Sequence, residues 1–463
     1  MQVPEQDGGA SFKGQALVSA SKWVPKERVP NKDALLRAAC VTGYSRNIPL
    51  VIRLASEEEN HIKLPRHINA LASLGLITFT DITENIQWEK VSFRKEITPR
   101  DDKQKNAWEA FSKASNGILS IACGGGKTVL GLKKIAQRGH PAVVLVSNGS
   151  LVEQWIERAK TFLGMEDSEI GIVQGDKQQW DKPLVIAMLQ TVISRIDTID
   201  IPTRMRFGTV VFDECHHMSA RTFAQVADLF YGARFGLTAT TKRGDGLEAV
   251  YYAHIGNVFY TDNTSEINAD VYFKIMPTRQ VEEREITYRG QLVISKLYDI
   301  LSKDTKRNKT IVADALNAVK AGRKLLVLSH SVWHVEHLSK EIQKALIKEA
   351  PASSKVGVVH GATKNDTRLT IIQDSNVTVA TFALAKEGLD VPSLDTLFLV
   401  TPFKDPGAFQ QCRGRVERAH PLKKSPLVVV YEDANISVAK ALCFCLKRSL
   451  KYAGRSFKTT KAN

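Results

Sequence analysis

A run of three glycines, Gly124 to Gly126, is followed directly by Lys127 and Thr128. The run stands between a strand-like apolar stretch, ILSIA, and an amphipathic helical pattern, KTVLGLKKIA. Such a loop binds phosphates because glycines let backbone N–H groups turn inward, a helix N-terminus attracts anions, a lysine reaches the β- and γ-phosphates, and a hydroxyl binds Mg²⁺. The strict pattern G-x-x-x-x-G-K-[ST] asks for glycine at Ile121, but that residue ends the strand and contacts no phosphate. The stretch predicts an ATP site; the alternative is a glycine-rich turn before a helix.

Two adjacent carboxylates, Asp213 and Glu214, end a second apolar run, TVVFDE. At the carboxyl end of a strand, Asp213 could reach a Mg²⁺ ion beside Thr128, and Glu214 could orient or deprotonate the attacking water. The order of the two stretches is typical of an ATPase with a phosphate-binding loop. The alternative, a helix cap, would not need an apolar strand immediately before it.

A third group of polar residues lies in the stretch FQQCRGRVERAH, residues 409 to 420. Gln411, Gly414, Arg415 and Arg418 follow the spacing Q-x-x-G-R-x-x-R. Two arginines three residues apart share a helix face, so both could point at the γ-phosphate across a cleft between two lobes. The alternative is a solvated basic helix.

The elements that must position these residues follow a repeating pattern. Short apolar runs alternate with helical patterns from about residue 97 to 260, and the same alternation returns after a polar stretch at 261 to 270. This alternation predicts βαβ crossovers and parallel sheets covered by helices. We therefore expect an α/β protein with two tandem lobes, residues 93–262 and 263–463. Residues 1–92 lack the pattern and predict a small α+β accessory domain, with a helical stretch at 31 to 44 and strand-like stretches at 74 to 82 and 86 to 95.

The charge of the chain favours a polyanionic partner. Its 463 residues include 64 Lys and Arg against 49 Asp and Glu, a net charge of +15. Binding to phosphates would release counterions, so nucleic acid is the expected partner, and an ordinary basic enzyme is the alternative. Residues 441–463 carry six Lys or Arg and no acidic residue, which indicates either a solvated end or a phosphate-contacting extension.

Other compositional signals exclude several classes of protein. The six cysteines form no C-x-x-C pair, so neither a zinc site nor a disulfide framework is indicated. The N-terminus has no apolar signal core, and no apolar run reaches the ~18 residues of a membrane span. We expect a soluble chain in the cytoplasm of a bacterial or phage-infected cell, with no membrane partner.

Taken together, these stretches resemble the motifs of the superfamily 2 helicases that have a DExH box, here Asp213-Glu214-Cys215-His216. The stretches GLTATTKRGD and EGLDVP are most similar to those of the UvsW-type phage branch-migration helicases and their RecG-like and XPB-like relatives. Two RecA-like lobes are the fold that this resemblance implies. The similar stretches are, in order, residues 121–128, 144–155, 188–192, 213–216, 236–245, 325–331, 380–392 and 409–420.

The resemblance implies a role for each motif residue. Lys127, Thr128, Asp213 and Glu214 would bind ATP and Mg²⁺ and activate water as described above. The remaining ATP contacts would be Gln104, which would read adenine, the loop glycines Gly124, Gly125 and Gly126, and Gly388 and Asp390, which would report the nucleotide state. Coupling between lobes would involve His216, Thr238 and Thr240. Nucleic acid would contact Ser147, Gln154, Gln190, Thr191, Ser329 and Thr381.

These residues predict an ATP-dependent DNA helicase or translocase, acting as a monomer on single-stranded and branched duplex DNA. Forks and junctions are the expected substrates, and the N-terminal domain would select among them. Three alternatives stay open: an RNA helicase, a translocase that does not separate strands, and a nucleic-acid-binding protein without ATPase activity. Phosphate contacts do not distinguish DNA from RNA, so the sequence leaves the first alternative undecided.

Overall fold

The structure is a computed structural model. It describes residues 16–29, 31–45, 48–68, 79–122, 124–214, 220–239, 246–262, 264, 267–351, 353–363, 365–382, 391–418, 420 and 423–462. The chain divides into two compact units, Met1–Thr264 and Ser265–Asn463, called unit 1 and unit 2 below.

The N-terminal segment of unit 1 is a small, mainly β structure. Its described elements are β1 (Ala16–Val18), β2 (Ser21–Pro25), α1 (Lys32–Ala38), β3 (Cys40–Ser45), β4 (Ile48–Arg53), β5 (Ser56–Glu57), β6 (His61–Pro65) and β7 (Phe79–Asp81). Five strands form one sheet in the order β5-β6-β2-β1-β7, and β3 pairs with β4 in an antiparallel hairpin. The side chain of Arg66 anchors this segment by donating to the Tyr231 carbonyl at 2.6 Å. The proposed division of unit 1 at residue 92 stays a prediction.

Two local expectations for this segment are wrong. The helix expected over 31–44 ends at Ala38, and Cys40–Ser45 is instead a strand. The strand-forming residues CVTGYS find a cross-strand partner in IPLVIR, and this pairing overrides local helical periodicity. The stretch 86–95, expected to be strand-like, forms no strand. Its backbone makes isolated hydrogen bonds to the rest of unit 1 instead of a ladder: the Val91 N–H donates to the Gly139 carbonyl and the Arg94 N–H to the Leu163 carbonyl.

The rest of unit 1 is an eight-stranded sheet in the order β11-β10-β12-β9-β13-β14-β8-β15. Neighbouring strands are parallel except for β10 and β11. The strands are β8 (Gly117–Ile121), β9 (Ala142–Val146), β10 (Ile170–Gln174), β11 (Lys177–Gln178), β12 (Leu184–Met188), β13 (Thr209–Asp213), β14 (Ala233–Thr238) and β15 (Val258–Asp262). The helices are α2 (Asp102–Lys113), α3 (Lys127–Arg138), α4 (Gly149–Leu163), α5 (Leu189–Ser194), α6 (Ile201–Arg206), α7 (Ala220–Ala227) and α8 (Glu248–Ile255).

Burial explains why these strands read as continuous apolar runs. Every residue of β8, β9 and β13 is buried, because separate groups of apolar side chains pack on the two faces of the sheet. The amphipathic helix α3 buries Leu130, Leu132 and Ile135 against one of these faces. The sheet therefore holds the carboxyl ends of its strands in a fixed row, where the motif residues lie.

Unit 2 contains a seven-stranded sheet in the order β20-β21-β19-β22-β23-β16-β24, all of it parallel. Its strands are β16 (Asp270–Ile275), β19 (Leu325–Ser329), β20 (Val356–Val359), β21 (Val377–Thr381), β22 (Thr396–Leu399), β23 (Leu427–Glu432) and β24 (Lys458–Lys461), and a hairpin joins β17 (Thr287–Tyr288) to β18 (Gln291–Leu292). The helices are α9 (Glu283–Ile286), α10 (Ile294–Lys303), α11 (Thr305–Lys320), α12 (Val332–Glu349), α13 (Asn365–Asp374), α14 (Pro406–Val416) and α15 (Ser437–Tyr452).

The two parallel-sheet lobes predicted from the alternation are confirmed, and so is the small N-terminal domain. The basic stretch contains the C-terminal part of α15, which packs beside α14, and β24, which pairs with β16 at the sheet edge. Among the described residues, no helix is both long and apolar enough to cross a membrane.

Candidate ATP site

The glycine loop connects β8 to α3 and requires glycine at two points. Gly124 and Gly126 have φ angles of 85° and 84°, in the left-handed region that other residues rarely adopt. A Cβ atom at Gly126 would also lie 2.1 Å from the Gln104 side-chain nitrogen, and one at Gly125 would lie 3.1 Å from the Ala122 carbonyl oxygen. The loop is therefore built around a tight backbone path that ends at the N-terminus of α3, as phosphate binding requires.

Gln104 lies directly against this loop. Its side-chain amide donates to the Gly125 carbonyl at 3.3 Å, and its side-chain carbonyl accepts from the Arg100 N–H at 3.1 Å. Asp101 caps α2 by accepting from the Gln104 N–H at 2.8 Å, which fixes where the glutamine projects. The Arg100 guanidinium donates to the Gly124 carbonyl at 3.0 Å. Arg100 and Asp101 were not predicted from the sequence, although an aspartate three residues before Gln104 is a recognisable helix-cap signal.

Lys127, the first residue of α3, is buried and already bonded within unit 1. Its Nζ donates to the Ile121 carbonyl at 3.3 Å and lies 3.6 Å from a carboxylate oxygen of Glu214. Glu214 follows β13 and has a φ of 47°, an uncommon value for a residue with a side chain. Thr238 is buried at the end of β14, the strand that lies between β13 and β8 in the sheet.

Asp213 is a buried carboxylate, with 3% of its surface exposed. One of its oxygens accepts a hydrogen bond from the Trp155 indole N–H at 2.7 Å, and the other accepts from the Glu214 N–H at 3.0 Å. Burial, and then the negative charge of Glu214, raise the pKa of Asp213 to about 7. No local signal in the sequence links Trp155 to a carboxylate 58 residues away.

The residues at this edge of the sheet fit a triphosphate and its Mg²⁺ ion. The loop ends at the N-terminus of α3, whose partial positive charge attracts phosphates, and Lys127 adds a full positive charge at the same place. No group of three or more His, Cys, Asp or Glu side chains among the described residues could hold a metal ion by itself. The oxygen donors of Asp213 and Thr128 suit Mg²⁺ nevertheless, because this ion usually combines one or two protein ligands with phosphate oxygens and water.

The residues predicted to contact nucleic acid differ in exposure. Gln190 is exposed, whereas Ser147, Gln154 and Thr381 are half-buried. Thr191 is buried, and its hydroxyl accepts from the Gly175 N–H at 3.1 Å. Ser329 is fully buried, and its hydroxyl hydrogen-bonds the His334 ring at 3.0 Å. Thr191 and Ser329 thus have structural hydrogen bonds of their own, and Gln190 is the most accessible of the set.

The arginine motif of unit 2 does not lie on one helix face. Gln411 and Arg415 are buried in α14, but this helix ends at Val416, two residues before Arg418. The expectation that both arginines share a helix is therefore wrong. Glu417 ends the helix instead, and its carboxylate pairs with Arg413 at 3.1 Å and with Arg455 at 2.7 Å. His216, Thr240, Gly388 and Asp390 lie outside the described residues.

Two domain families match this chain. Residues 88–243 match the family "Type III restriction enzyme, res subunit", and residues 307–420 match "Helicase conserved C-terminal domain". The first match contains the glycine loop and both carboxylates, and the second contains Gln411, Arg415 and Arg418.

Individual relatives and structures agree with these matches. The "Probable helicase D10" of Escherichia phage T5 is 26% identical over 67% of this chain and 66% of its own length. The "DNA 3'-5' helicase XPB" of Mycobacterium tuberculosis is 26% identical over 57% of this chain and 49% of its own. The chain thus spans less than two thirds of these relatives. The structure of S. cerevisiae Dbp5 bound to RNA and ADP BeF3 shares the fold, with a TM-score of 0.56 and 14% identity over 80% of this chain and 91% of that one.

The parallel-sheet lobe in each unit, the two matched domains and the helicase relatives place this chain among the superfamily 2 helicases.

Proposed function

We propose that this protein hydrolyses ATP and uses the released free energy to move along DNA and remodel it. The observation that carries the proposal is the arrangement at one edge of the unit 1 sheet. The glycine loop, Lys127 and Glu214 meet there, with 3.6 Å between the lysine nitrogen and the glutamate oxygen, and Asp213 is adjacent. A lysine at a glycine-rich helix N-terminus beside paired carboxylates is the set of groups that phosphoryl transfer to water needs.

The Lys127–Glu214 contact suggests how binding prepares the site. ATP supplies the phosphoanhydride bond, and Mg²⁺ neutralises part of the charge of the phosphates. When phosphates lie in the loop, Lys127 transfers its contact from Glu214 to a phosphate oxygen. Glu214 then loses the cation that stabilises its charged form, so it becomes a better acceptor for the proton of the attacking water.

Asp213 and Thr128 would hold the metal ion, and Trp155 would fix the aspartate. Since the indole N–H binds one carboxylate oxygen at 2.7 Å, the side chain cannot rotate freely. Gln104 would contact the adenine, a role supported by its position against Gly125 and Gly126. Thr238, His216 and Thr240 would transmit the state of the site to unit 2, and Gly388 and Asp390 would respond to it.

We further propose that Arg415 and Arg418 stabilise the charge that develops on the transferred phosphoryl group, with Gln411 positioning the nucleotide or water. Arginine suits this role because its planar guanidinium binds phosphate oxygens through two N–H groups at once. The side chain of Arg415 is held in α14, and Arg418 follows this helix in a bend. Hydrolysis would then require groups from both units.

DNA is the proposed substrate, in single-stranded and branched forms. Two similar proteins are named as helicases of phage or bacterial origin, and one of these is a DNA 3'-5' helicase. The resemblance of residues 236–245 and 387–392 to UvsW-type helicases supports the narrower proposal that forks and junctions are remodelled by branch migration in a phage or bacterial cytoplasm. Ser147, Gln154, Gln190, Thr191, Ser329 and Thr381 remain the proposed motif contacts, with Gln190 as the most accessible.

The test compares ATP hydrolysis and strand separation on matched substrates. The protein is given labelled fork, Holliday junction, blunt duplex and RNA duplex, and the Lys127→Ala variant is the control. We expect ATP turnover stimulated by DNA and preferential conversion of the branched substrates. Preference for the RNA duplex would make the protein an RNA helicase, and DNA-stimulated turnover without any strand displacement would make it a translocase. Absence of turnover with every substrate would contradict the proposed activity.

A further inference from the structure

Helix α15 presents a mixed aromatic and basic surface on unit 2. Its inner side is apolar: Ala439, Cys443, Leu446 and Leu450 are buried in the unit 2 core. The exposed side carries residues at intervals of four, which lie above one another on a helix. We define the α15 stripe as the five exposed residues Lys440, Phe444, Arg448, Lys451 and Tyr452.

The two rings of the α15 stripe do not contribute to the core. Phe444 is 62% exposed and Tyr452 is 77% exposed. Arg448 holds the second ring in place: its guanidinium lies 5.2 Å from the Tyr452 ring centre and donates to the phenol oxygen at 2.9 Å. The orientation of the Tyr452 ring is therefore fixed before any ligand binds.

The cations of the α15 stripe differ from their neighbours in the same stretch. Lys447 and Arg455 face inward and are paired with Glu432 at 2.5 Å and Glu417 at 2.7 Å. Among the described residues, no carboxylate lies within ion-pair distance of Lys440, Arg448 or Lys451. No acidic residue occurs from 441 to 463, so the charge of this surface is not balanced by nearby sequence.

We propose that the α15 stripe binds an unpaired nucleic-acid strand, with its cations on phosphates and its two rings on bases. Cations track the backbone in such sites, while aromatic rings accept any base because every base has a π face. The rings require unpaired bases, so a single strand fits this surface better than a duplex. The stripe runs for about 18 Å at ~1.5 Å per residue, enough for several nucleotides.

This inference rests on the proposed function for the identity of the partner, and it adds a contact surface outside all the motif residues. Charge complementarity favours a nucleic acid over a second copy of the chain, since the whole protein carries a net charge of +15. A protein partner or self-association through α15 would be revealed as an outcome of the test.

The ring contacts are tested with the double variant Phe444→Ala/Tyr452→Ala. Equilibrium binding of the full chain, without ATP, is measured by anisotropy for a labelled 30-nucleotide DNA strand and for the same strand with most bases removed. We expect the variant to bind the normal strand about 5- to 150-fold more weakly per stacked base, and to bind the abasic strand as the unchanged protein does. Tyr288→Ala is the matched control, because Tyr288 is also exposed, at 61%, and lies near Arg289.

The charge contacts are tested with Lys440→Ala/Arg448→Ala/Lys451→Ala, and Lys303→Ala serves as the control. Each phosphate contact to a single strand contributes about 0.7 to the slope of log affinity against log salt concentration. We expect the triple variant to lower this slope by about 2 and the control to leave it unchanged. Melting temperatures of all variants check that exposed substitutions preserve the fold.

Three results would overturn the inference. The first is equal loss of affinity for normal and abasic strands in the ring variant, and the second is an unchanged salt slope in the charge variant. The third is self-association of the protein that the ring variant abolishes while DNA binding is retained. The proposed function fails separately, because it requires DNA-stimulated ATP turnover that Lys127→Ala removes. Loss of DNA binding in the stripe variants without any such turnover would support the α15 surface and contradict the ATPase.

Discussion

Apart from the additional edge strand β11 of unit 1, the two sheets have the same strand order, but their carboxyl edges differ. Matching them position by position places β16 of unit 2 where unit 1 has β8, and β22 where unit 1 has β13. A glycine loop follows β8, whereas MPTRQ follows β16. Asp213 ends β13, whereas β22 is followed by Val400 and Thr401. The shared order thus provides a scaffold, and the residues after each strand decide whether an edge can bind a nucleotide.

Buried charges at the two edges are also compensated differently. In unit 2, Asp433 is fully buried, and the Arg307 guanidinium binds both of its oxygens at 2.9 and 3.2 Å. In unit 1, Asp213 has the like charge of Glu214 beside it and an indole N–H as its partner. The unit 2 pair is neutral as it stands. In unit 1, Lys127 lies 3.6 Å from Glu214 and compensates part of the charge of the two carboxylates, and a bound metal ion would neutralise the remainder.

The largest expected effect tests whether unit 2 contributes a catalytic group to ATP hydrolysis. Arg418→Ala should reduce the rate of ATP hydrolysis by about 10³- to 10⁵-fold while ATP binds nearly as before, because an arginine finger acts on the transition state. Single-turnover hydrolysis and nucleotide binding are measured in parallel, with Arg284→Ala as a control at an exposed arginine of the same unit. Weaker ATP binding with an unchanged rate would rule out the finger role.

Glu214→Gln sharpens the role of the unit 1 carboxylates. The amide keeps the shape of the side chain but cannot accept a proton from water, so we expect about 10²- to 10⁴-fold slower hydrolysis with ATP and DNA binding retained. The measurement is a burst experiment with labelled ATP. Normal turnover in this variant would remove Glu214 as the group that activates water.

The unit 2 ion pair should matter for stability. Arg307→Ala leaves the fully buried Asp433 without its cation, which should lower the free energy of unfolding by about 3–5 kcal/mol. Arg307→Met/Asp433→Leu removes both charges and should cost less than the single change. Asp213→Asn in unit 1 removes a like-charge neighbour and should not destabilise the protein comparably. Denaturant unfolding, followed separately for each unit, measures the loss of stability in the three variants. A larger loss in the double variant or in Asp213→Asn than in Arg307→Ala would contradict this prediction.

A pH dependence should appear at the unit 1 edge. The pKa of Asp213 is raised to about 7, so the carboxyl is protonated below this pH and charged above it. Mg²⁺ prefers the charged form, and its affinity should therefore fall as pH decreases through about 7. The raised pKa also means that this group's own contribution to stability, full at low pH, is lost as pH rises through the same value. Mg²⁺ titrations from pH 6 to 8 measure the effect, and Asp213→Asn should abolish it.

The smallest effect concerns Trp155. Its hydrogen bond lowers the pKa of Asp213, so Trp155→Phe should move the midpoint of the Mg²⁺ titration to higher pH while the ring stays in the core. The same titrations measure the shift. An unchanged midpoint would mean that the indole only fills space.

The long apolar runs allowed the two lobes to be predicted, whereas the structure of short amphipathic stretches could not be predicted from local sequence. The runs at β8, β9 and β13 are buried on both faces, so every residue lies in the same apolar environment. Residues 40–45 could be extended or helical, and their pairing with β4 decided the outcome. The helix expected to include Arg418 ends earlier, at a glutamate held by two arginines, one of them 38 residues away in the chain.

The sequence by itself determined the backbone chemistry of the loop, the adjacency of Asp213 to Glu214 and the excess of positive charge, because these depend only on residue identity and on neighbours along the chain. The tertiary structure decided which charges are compensated: it gave Asp213 an indole partner, turned Lys447 inward and left Arg448 exposed. Burial and pairing depend on contacts between residues far apart in sequence, and these contacts set the pKa of a carboxylate and the availability of a cation.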